Sequence, residues 1–560
     1  MSLIKVLSRL SAVYCLLLLL FSCQQEPSSS TVIQNVRGYT FYGDSLRTFS
    51  AVMFKDGKVV DIYNDTTFQQ GAGPDIIDGR GQVMLPGLID AHGHVMGLGF
   101  QQMNVDLTGT TSLDSTLQRV AAYSRQYPEL SWIQGRGWNQ TRWNINRFPT
   151  AEELDDIENK RPVWLRRIDG HAGWANSEAM KRAGINTETS EPEGGKIIRD
   201  ENGRPTGVFV DAAMHLIESH IPEPSARARS KALEAALLQM RSHGLTSVHD
   251  AGVSVKDWQL YKEKADQDSL TTRIYGMIAG AGAVFDTLAR EGPIESYSKD
   301  RLALQSVKLY ADGALGSRGA ALIEPYSDAP DNRGLLFFSE EEMTKHILKT
   351  ASAGFQTNVH AIGDQANRTV LNAFRKVQDS LGRQNLRHRI EHAQIVAPED
   401  ISRFRSLGII ASMQPTHATS DMNMAEDRIG AERMEGAYAW QTFLRHGVVV
   451  ASGSDFPVEH VNPFYGLYAA VTRRDHQGNP EEGWYPGERL SRVQALRSFT
   501  VDAAYAAHQE TVLGSLEPGK WADFILVDRD IFEVPAREIW QTRVLETWVA
   551  GEKVYSAMDK

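Results

Sequence analysis

From Leu88 onward, short apolar runs alternate with longer helical patterns, and this rhythm limits the fold more than any other feature of the chain. The runs include Leu245-Thr246-Ser247-Val248, Ser306-Val307-Lys308-Leu309, Gln356-Thr357-Asn358-Val359 and Val448-Val449-Val450-Ala451, with helical patterns such as Ala226 to Arg241 and Glu340 to Ala353 between them. Strand–helix alternation specifies parallel β/α units, and a barrel is the economical way to close them. The stretch between Gly99 and Arg241 lacks that rhythm and reads as an insertion. Upstream, Ala51-Val52-Met53-Phe54 and Val59-Val60-Asp61-Ile62-Tyr63 flank an Asp56-Gly57 turn, a hairpin pattern. Strand character returns from Gly514 to Val527, which is able to pair with these N-terminal strands.

The proportions are globular, 42% hydrophobic and 23% charged, and they exclude a disordered or fibrous chain. A formal charge of -11 argues against a nucleic-acid binder, which needs a basic face. The two cysteines, Cys15 and Cys23, both lie near the N-terminus. Beyond them no thiolate site can form, so a metal must be held by His, Asp, Glu or a modified Lys. Lys5 and Arg9 precede the apolar run Leu10 to Phe21, too short to span a bilayer comfortably and built like a signal peptide. It ends in Leu20-Phe21-Ser22-Cys23, which resembles a bacterial lipobox, a signal in which the cysteine is lipidated. Residues 1–23 are therefore expected to be a lipoprotein-type signal peptide, and 24–31 a polar tether. The body is expected to be extracytoplasmic, anchored through Cys23 to a bacterial membrane. A plain secretory signal or an uncleaved anchor is the competing reading.

Chemistry-bearing residues recur at predicted strand ends. In Leu85-Pro86-Gly87-Leu88-Ile89-Asp90-Ala91-His92-Gly93-His94, an extended strand puts His92 and His94 on one face, about 6.6 Å apart, close enough to bind one cation. His360 in Asn358-Val359-His360-Ala361, His392 in Arg389-Ile390-Glu391-His392 and Asp455 in Ser452-Gly453-Ser454-Asp455 also sit at strand ends. Lys308 is a charge inside the apolar strand Val307-Lys308-Leu309-Tyr310, where burial is costly. Singly, each has an ordinary explanation: a satisfied core histidine, a helix cap for Asp455, an ion pair with Asp312 for Lys308. Their arrival in order, each on a different strand, is hard to explain by structure alone.

With Gly135-Arg136-Gly137-Trp138, Asp169-Gly170-His171-Ala172, Asp312-Gly313-Ala314-Leu315-Gly316-Ser317-Arg318 and Gly514-Ser515-Leu516-Glu517-Pro518-Gly519, the series resembles the amidohydrolase superfamily. Within it, the likeness is to the amidohydrolase-3 group that includes N-substituted formamide deformylases, and it runs from about Val32 to Tyr555. The resemblance implies a distorted (β/α)8, TIM-like barrel over residues 87–504 with an insertion near 100–240. It also implies a small β-sandwich made from residues 32–86 and 505–560. His92 and His94, with Asp455, are implied ligands of a buried metal, and His360 and His392 of a second. Lys308 is implied to bridge them as an N-carboxylated lysine, which needs an amine of depressed pKa; in single-metal relatives the lysine contacts substrate or an internal carboxylate instead. Trp138, Asp169, His171 and Arg318 are candidate substrate-pocket residues, with a structural role the equal alternative. His249, also at a strand end, has no role assigned.

Nitrogen and oxygen ligands without cysteine suit zinc best, with manganese or iron as alternatives and one or two ions. Such a metal lowers the pKa of water to about 7, and Asp455 then passes the proton to a leaving amine. The expected function is hydrolysis of a non-peptide C–N bond, amide or N-formyl, in a small-molecule substrate. A single-metal deaminase and a catalytically inert ligand-binding lipoprotein are the alternatives.

Overall fold

A computed structural model describes residues 30–64, 68–69, 73–143, 145, 147–168, 170, 172–192 and 195–558. The signal segment with Cys23, most of the tether, Asp169 and His171 lie outside the described residues.

Eight parallel strands follow one another around a barrel in chain order: β1 (Leu88–Gly93), β2 (Leu245–Val253), β3 (Arg273–Ala279), β4 (Leu302–Tyr310), β5 (Gln356–Ala361), β6 (Arg389–His392), β7 (Ile410–Met413) and β8 (Val450–Ser452). Strands β1, β6, β7 and β8 are buried along their whole length, because helices cover the outer face and side chains fill the inner one. The covering helices are locally encoded. Glu340–Ser352 begins with a capping box between Ser339 and Glu342, carries three acids in its first turn and Lys349 in its last, and buries Met343, Ile347 and Ala351. Ala226–Ser242 is capped by Ser225 and buries Leu233, Ala236, Leu237 and Met240.

Closure happens where β1 meets the segment after β8. The Asp455 amide donates to the His92 carbonyl at 2.7 Å, and the His94 amide donates to the Phe456 carbonyl at 2.8 Å. Asp90 ties the same seam, accepting from the Ser454 hydroxyl at 2.6 Å and from the amides of His92 and Ser454 at 3.0 Å. Glycine is required at position 453: a Cβ there lies 2.5 Å from the His92 nitrogen.

The insertion forms its own six-stranded sheet, from Val105–Asp106 through Ile133–Trp138, Val163–Arg167, Ala172–Ala175 and Pro205–Asp211 to Gly195–Arg199. Trp138, Trp143 and Trp174 pack together in its core, ring centroids 6.0–6.2 Å apart.

The chain ends share a third sheet. Strands Thr31–Tyr42, Ser45–Lys55, Lys58–Tyr63, Asp75–Asp78 and Val83–Pro86 join Phe524–Val527, Val544–Val549 and Glu552–Ser556. The two layers expected of a sandwich come from one continuous sheet that curls. The Gly57 carbonyl accepts from the Ala522 amide and the Val59 amide donates to the Lys520 carbonyl, around a core containing Phe54, Phe524 and Trp548. This sheet is fastened to the barrel by Arg273 on β3, which donates to both oxygens of Asp523 at 2.7 and 3.0 Å, the pair being almost fully buried. Removing one partner strands the other charge in the interior. Asp523→Ala is therefore expected to destabilise the protein by about 3–5 kcal/mol, whereas replacing Arg273 and Asp523 together by Met and Leu costs much less. Denaturant midpoints of the two variants test this; equal losses refute it.

Candidate metal centre

The six residues singled out as ligands converge at the C-terminal ends of the strands. His92 lies on β1, and His94 follows it at the start of helix Val95–Met103, their rings 5.6 Å apart. Asp455, just past β8, places Oδ1 3.0 Å from His94 Nε2 and 3.6 Å from His92 Nε2. Lys308, in the interior of β4, brings Nζ to 2.9 Å from His92 Nε2. His360 on β5 and His392 at the end of β6 stand 4.5 Å apart, ring to ring. His392 and Asp455 both have left-handed backbones, φ 73° and 62°, an uncommon state for such residues that costs on the order of 1–3 kcal/mol and clusters at functional sites.

Beneath the imidazoles lies a buried polar layer to which the motifs had assigned no role. Glu391 on β6 bonds His92 Nδ1, which turns the Nε2 lone pair of His92 inward. Arg389 grips Glu391 with two bonds of 2.7 and 2.9 Å and also donates to the Ala91 carbonyl, Ser412 Oγ and His249 Nδ1. That is the place of His249: it accepts from Arg389 in the barrel interior. On its own, burial raises the Glu391 carboxyl, but Arg389 and His92 hold it well below the ordinary carboxylate range. Burial likewise works to raise Asp455, and His94, His92 and His417 outweigh it, so Asp455 stays ionised. Burial, aided by Lys308, lowers His92 to about 4 and His360 to about 3, which keeps both neutral with lone pairs free. The Lys308 amine is pushed down to about 8 by burial, against the pull of Glu391 and Asp455.

These residues fit a divalent cation. His92, His94 and Asp455 offer three ligand atoms within 4.8 Å of one another. Although His94 is close, Asp455 Oδ1 is buried without an aligned hydrogen bond, and His360 Nε2 is orphaned too. Buried polar atoms rarely go unpartnered, and neutral imidazoles with a carboxylate are a metal-binding donor set. A second group, His392, His417 and Asp455, meets the same criterion. His417 was missed because it lies on helix Pro415–Asp421, behind a proline and away from any strand-end motif.

Two pocket candidates have structural partners. Trp138 is fully buried in the tryptophan core of the insertion, its Nε1 donating to the Leu165 carbonyl, so it has no surface to offer a substrate. Arg318 is engaged by Asp328 at 2.9 and 3.1 Å, and Asp328 also pairs with Arg428; this guanidinium ties the loop after β4 to residues beyond β7. The cavity beside the site, about 700 Å³, runs from His94 and Lys308 over Gly252, Gly280 and Gly282 to Tyr310, Phe337 and Phe338.

A parallel eight-stranded barrel with histidine, lysine and aspartate at its C-terminal rim defines the metal-dependent hydrolases of the barrel type. The comparisons agree and narrow the class: the profile of the amidohydrolase family matches residues 75–555, and the chain belongs to that family. It is 34% identical to the putative amidohydrolase YtcJ of Bacillus subtilis (strain 168), over 85% of this chain and 89% of that protein. It is 29% identical to the N-substituted formamide deformylase of Arthrobacter pascens, over 90% of this chain and 94% of that one. An uncharacterized metal-dependent hydrolase from Pyrococcus furiosus superposes with a TM-score of 0.75 at 28% identity, covering 90% of this chain and 100% of its own. This chain is accordingly a metal-dependent hydrolase that uses a divalent ion.

Because Glu391 orients His92 and neutralises Arg389, Glu391→Gln is expected to weaken metal binding by about 10–100-fold, with the ligands themselves intact. Chelator competition on the purified variant measures it; unchanged affinity removes Glu391 from this role.

Proposed function

We propose that this protein hydrolyses a non-peptide C–N bond, of amide or N-formyl type, in a small molecule carrying an apolar substituent. The observation that carries this reading is the position of Asp455, a buried and ionised carboxylate next to His92 and to His94, which lines a largely apolar cavity. A binding protein has no need of a proton carrier in that place. The cavity is within the usual range for small-molecule sites. Added Cβ atoms at Gly252, Gly280 and Gly282 meet nothing within 4 Å, so these glycines leave an open floor, and Tyr310, Phe337 and Phe338 supply aromatic walls. The likeness to an N-substituted formamide deformylase supports the bond type.

His92, His94 and Asp455 would hold a divalent metal, zinc being best suited to these donors, which would supply Lewis acidity toward the carbonyl and the attacking water. Asp455 accepts the proton of that water and delivers it to the departing nitrogen, which leaves as an amine. Glu391 holds the His92 ring in place throughout, and the walls of the cavity orient the apolar substituent.

Metal-replete protein is expected to convert N-alkyl or N-aryl formamides and N-acyl amines into equal amounts of amine and carboxylic acid. Ammonia without an acid product selects the deaminase instead, and tight binding without turnover selects an inert binder. Asp455→Asn is expected to fold, bind substrate nearly as well and lose at least about 10²-fold in turnover. Near-normal turnover in that variant removes Asp455 from the mechanism.

The lipobox-like Leu20-Phe21-Ser22-Cys23 supports a further element of the proposal, a lipid anchor that holds the enzyme on the extracytoplasmic side of a bacterial membrane. Cys23→Ala is expected to move the protein out of the membrane fraction. A wild-type protein already free of membranes overturns the anchor.

A further inference from the structure

We propose that the cavity beside His94 and Lys308 is a chain-binding subsite. Its preferred substrates are amides whose apolar group is a linear chain, long enough to leave the cavity and lie over Tyr310, Phe337 and Leu335. The inference rests on the amide-hydrolase reading and deepens it by naming the substrate class.

The cavity leads away from the reactive end along an apolar path. The Lys308 amine stands 5.1 Å from the centre of the Tyr310 ring, and Tyr310 ends the same strand, β4. Among the lining residues only His94, Lys308 and His346 have basic side chains, and none is a carboxylic acid. The His346 ring is turned against Phe338, centroids 4.8 Å apart. The floor is fixed in place. The Gly280 amide donates to the Lys308 carbonyl at 3.0 Å, and the Ala281 carbonyl accepts from Lys349 Nζ at 2.8 Å, which pins the turn after β3 to helix Glu340–Ser352. Gly252 and Gly282 are exposed, so the cavity opens sideways as a groove.

The outer wall has a feature that a compact substituent leaves unused. In the loop between β4 and that helix, the Leu335 amide donates to the Gly319 carbonyl at 3.2 Å and the Phe337 amide to the Ala311 carbonyl at 2.8 Å. Gly334 lets the segment press on its support: a Cβ there falls 1.9 Å from the Ala320 carbonyl oxygen. Side chains alternate along such an extended segment. Leu336 and Phe338 pack on the barrel core, while Leu335 and Phe337 are 63% and 49% exposed. Tyr310, next to Ala311, is 42% exposed.

Scattered apolar side chains on a surface need no explanation, whereas contiguous ones mark binding surfaces. Here backbone bonds hold Leu335 and Phe337 against the end of β4, at the mouth of an apolar groove. Leu335 does not line the cavity, so only a group that extends past Phe337 meets it. Continuity with the groove, and through it with Lys308 and His94, makes the substrate's own chain the occupant.

The test is chain-length dependence in zinc-loaded, full-length protein, below micelle-forming concentrations. The probes are N-alkylformamides and N-acyl methylamines with chains from butyl to dodecyl. A fully buried methylene is worth about fourfold in affinity, and one half-buried in an open groove about twofold. The wild-type kcat/KM is therefore expected to rise on the order of 50-fold from the butyl to the decyl member of at least one series. Leu335→Ser and Phe337→Ser are expected to cut that ratio by about fivefold or more. Gly282 has an ordinary φ and open space around its Cβ position, so Gly282→Leu fills the groove without strain and is expected to cut the ratio as well. Titration calorimetry with butylamine and decylamine, and with butyrate and decanoate, reads the same preference without turnover.

Amide turnover that ignores chain length, or an unchanged ratio in all three variants, overturns the subsite and leaves the hydrolase reading intact. No turnover of any amide, with the longer product still bound more tightly and less so in Leu335→Ser, overturns the hydrolase reading and supports the subsite. Neither turnover nor a chain preference overturns both. A wild-type dimer that Leu335→Ser dissociates, with chain dependence unchanged, gives the patch to a second copy and overturns the proposal.

Discussion

The hydrogen bonds that join the first barrel strand to the segment after the last one are what the site depends on. His92 and Asp455 are 363 positions apart in sequence, yet the backbone carbonyl of one accepts from the backbone amide of the other. Proximity of their side chains is thus a product of barrel closure, not of any local motif. Asp90 reinforces the seam from inside, and burial lifts its carboxyl to about 7 against the bonds from Ser454 and His92. Gly453 leaves the space that the approach needs. A barrel that failed to close would still have its histidines, but no shared cation position.

Closure brings a difficulty, since it packs many nitrogen ligands and a lysine into a volume with little water. Two carboxylates offset this. Asp455 does so from the rim, and Glu391 does so from below through Arg389, whose guanidinium also reaches β1, β2 and β7. A planar five-donor group is well matched to this task, because one residue fastens four strands and balances one charge. The same layer fixes which nitrogen of His92 points at the site. Structure beneath the centre and chemistry within it therefore share the same side chains.

Much of this was legible in the sequence. Strand–helix alternation is a periodic signal that survives without any knowledge of contacts, and the candidate ligands His92, His94, His360, His392 and Asp455 stand out at predicted strand ends, with Lys308 a charge inside one. Glu391 and Arg389 were visible as opposite charges two residues apart on one face of an apolar strand; their contacts with His92 and His249 are the tertiary fact that the sequence hides. His417 gave no such clue, since it sits in an ordinary helical turn. For Trp138 the structural alternative fits its burial better than the pocket role. Its motif resembles that of a pocket residue, while of the tryptophans at 143 and 174 that pack on it the second is distant in sequence and meets it only in the folded domain. Pairing between the chain ends was expected, but that it makes one continuous curled sheet was not, because curl leaves no local pattern.

That terminal sheet has a consequence for how the molecule comes into being. The strand Val83–Pro86 pairs with Phe524–Val527, a segment made long after it because the whole barrel lies between them in the sequence. At the usual pace of synthesis, about 5–20 residues per second, the early strands wait on the order of half a minute or more for their partners. During that interval they carry an unpaired edge and a half-built apolar core, the surfaces most prone to wrong association. Arg273 waits as well, since the carboxylate that neutralises it arrives with the same late segment. Completion of the terminal sheet, not of the barrel, is therefore the moment at which these surfaces are covered.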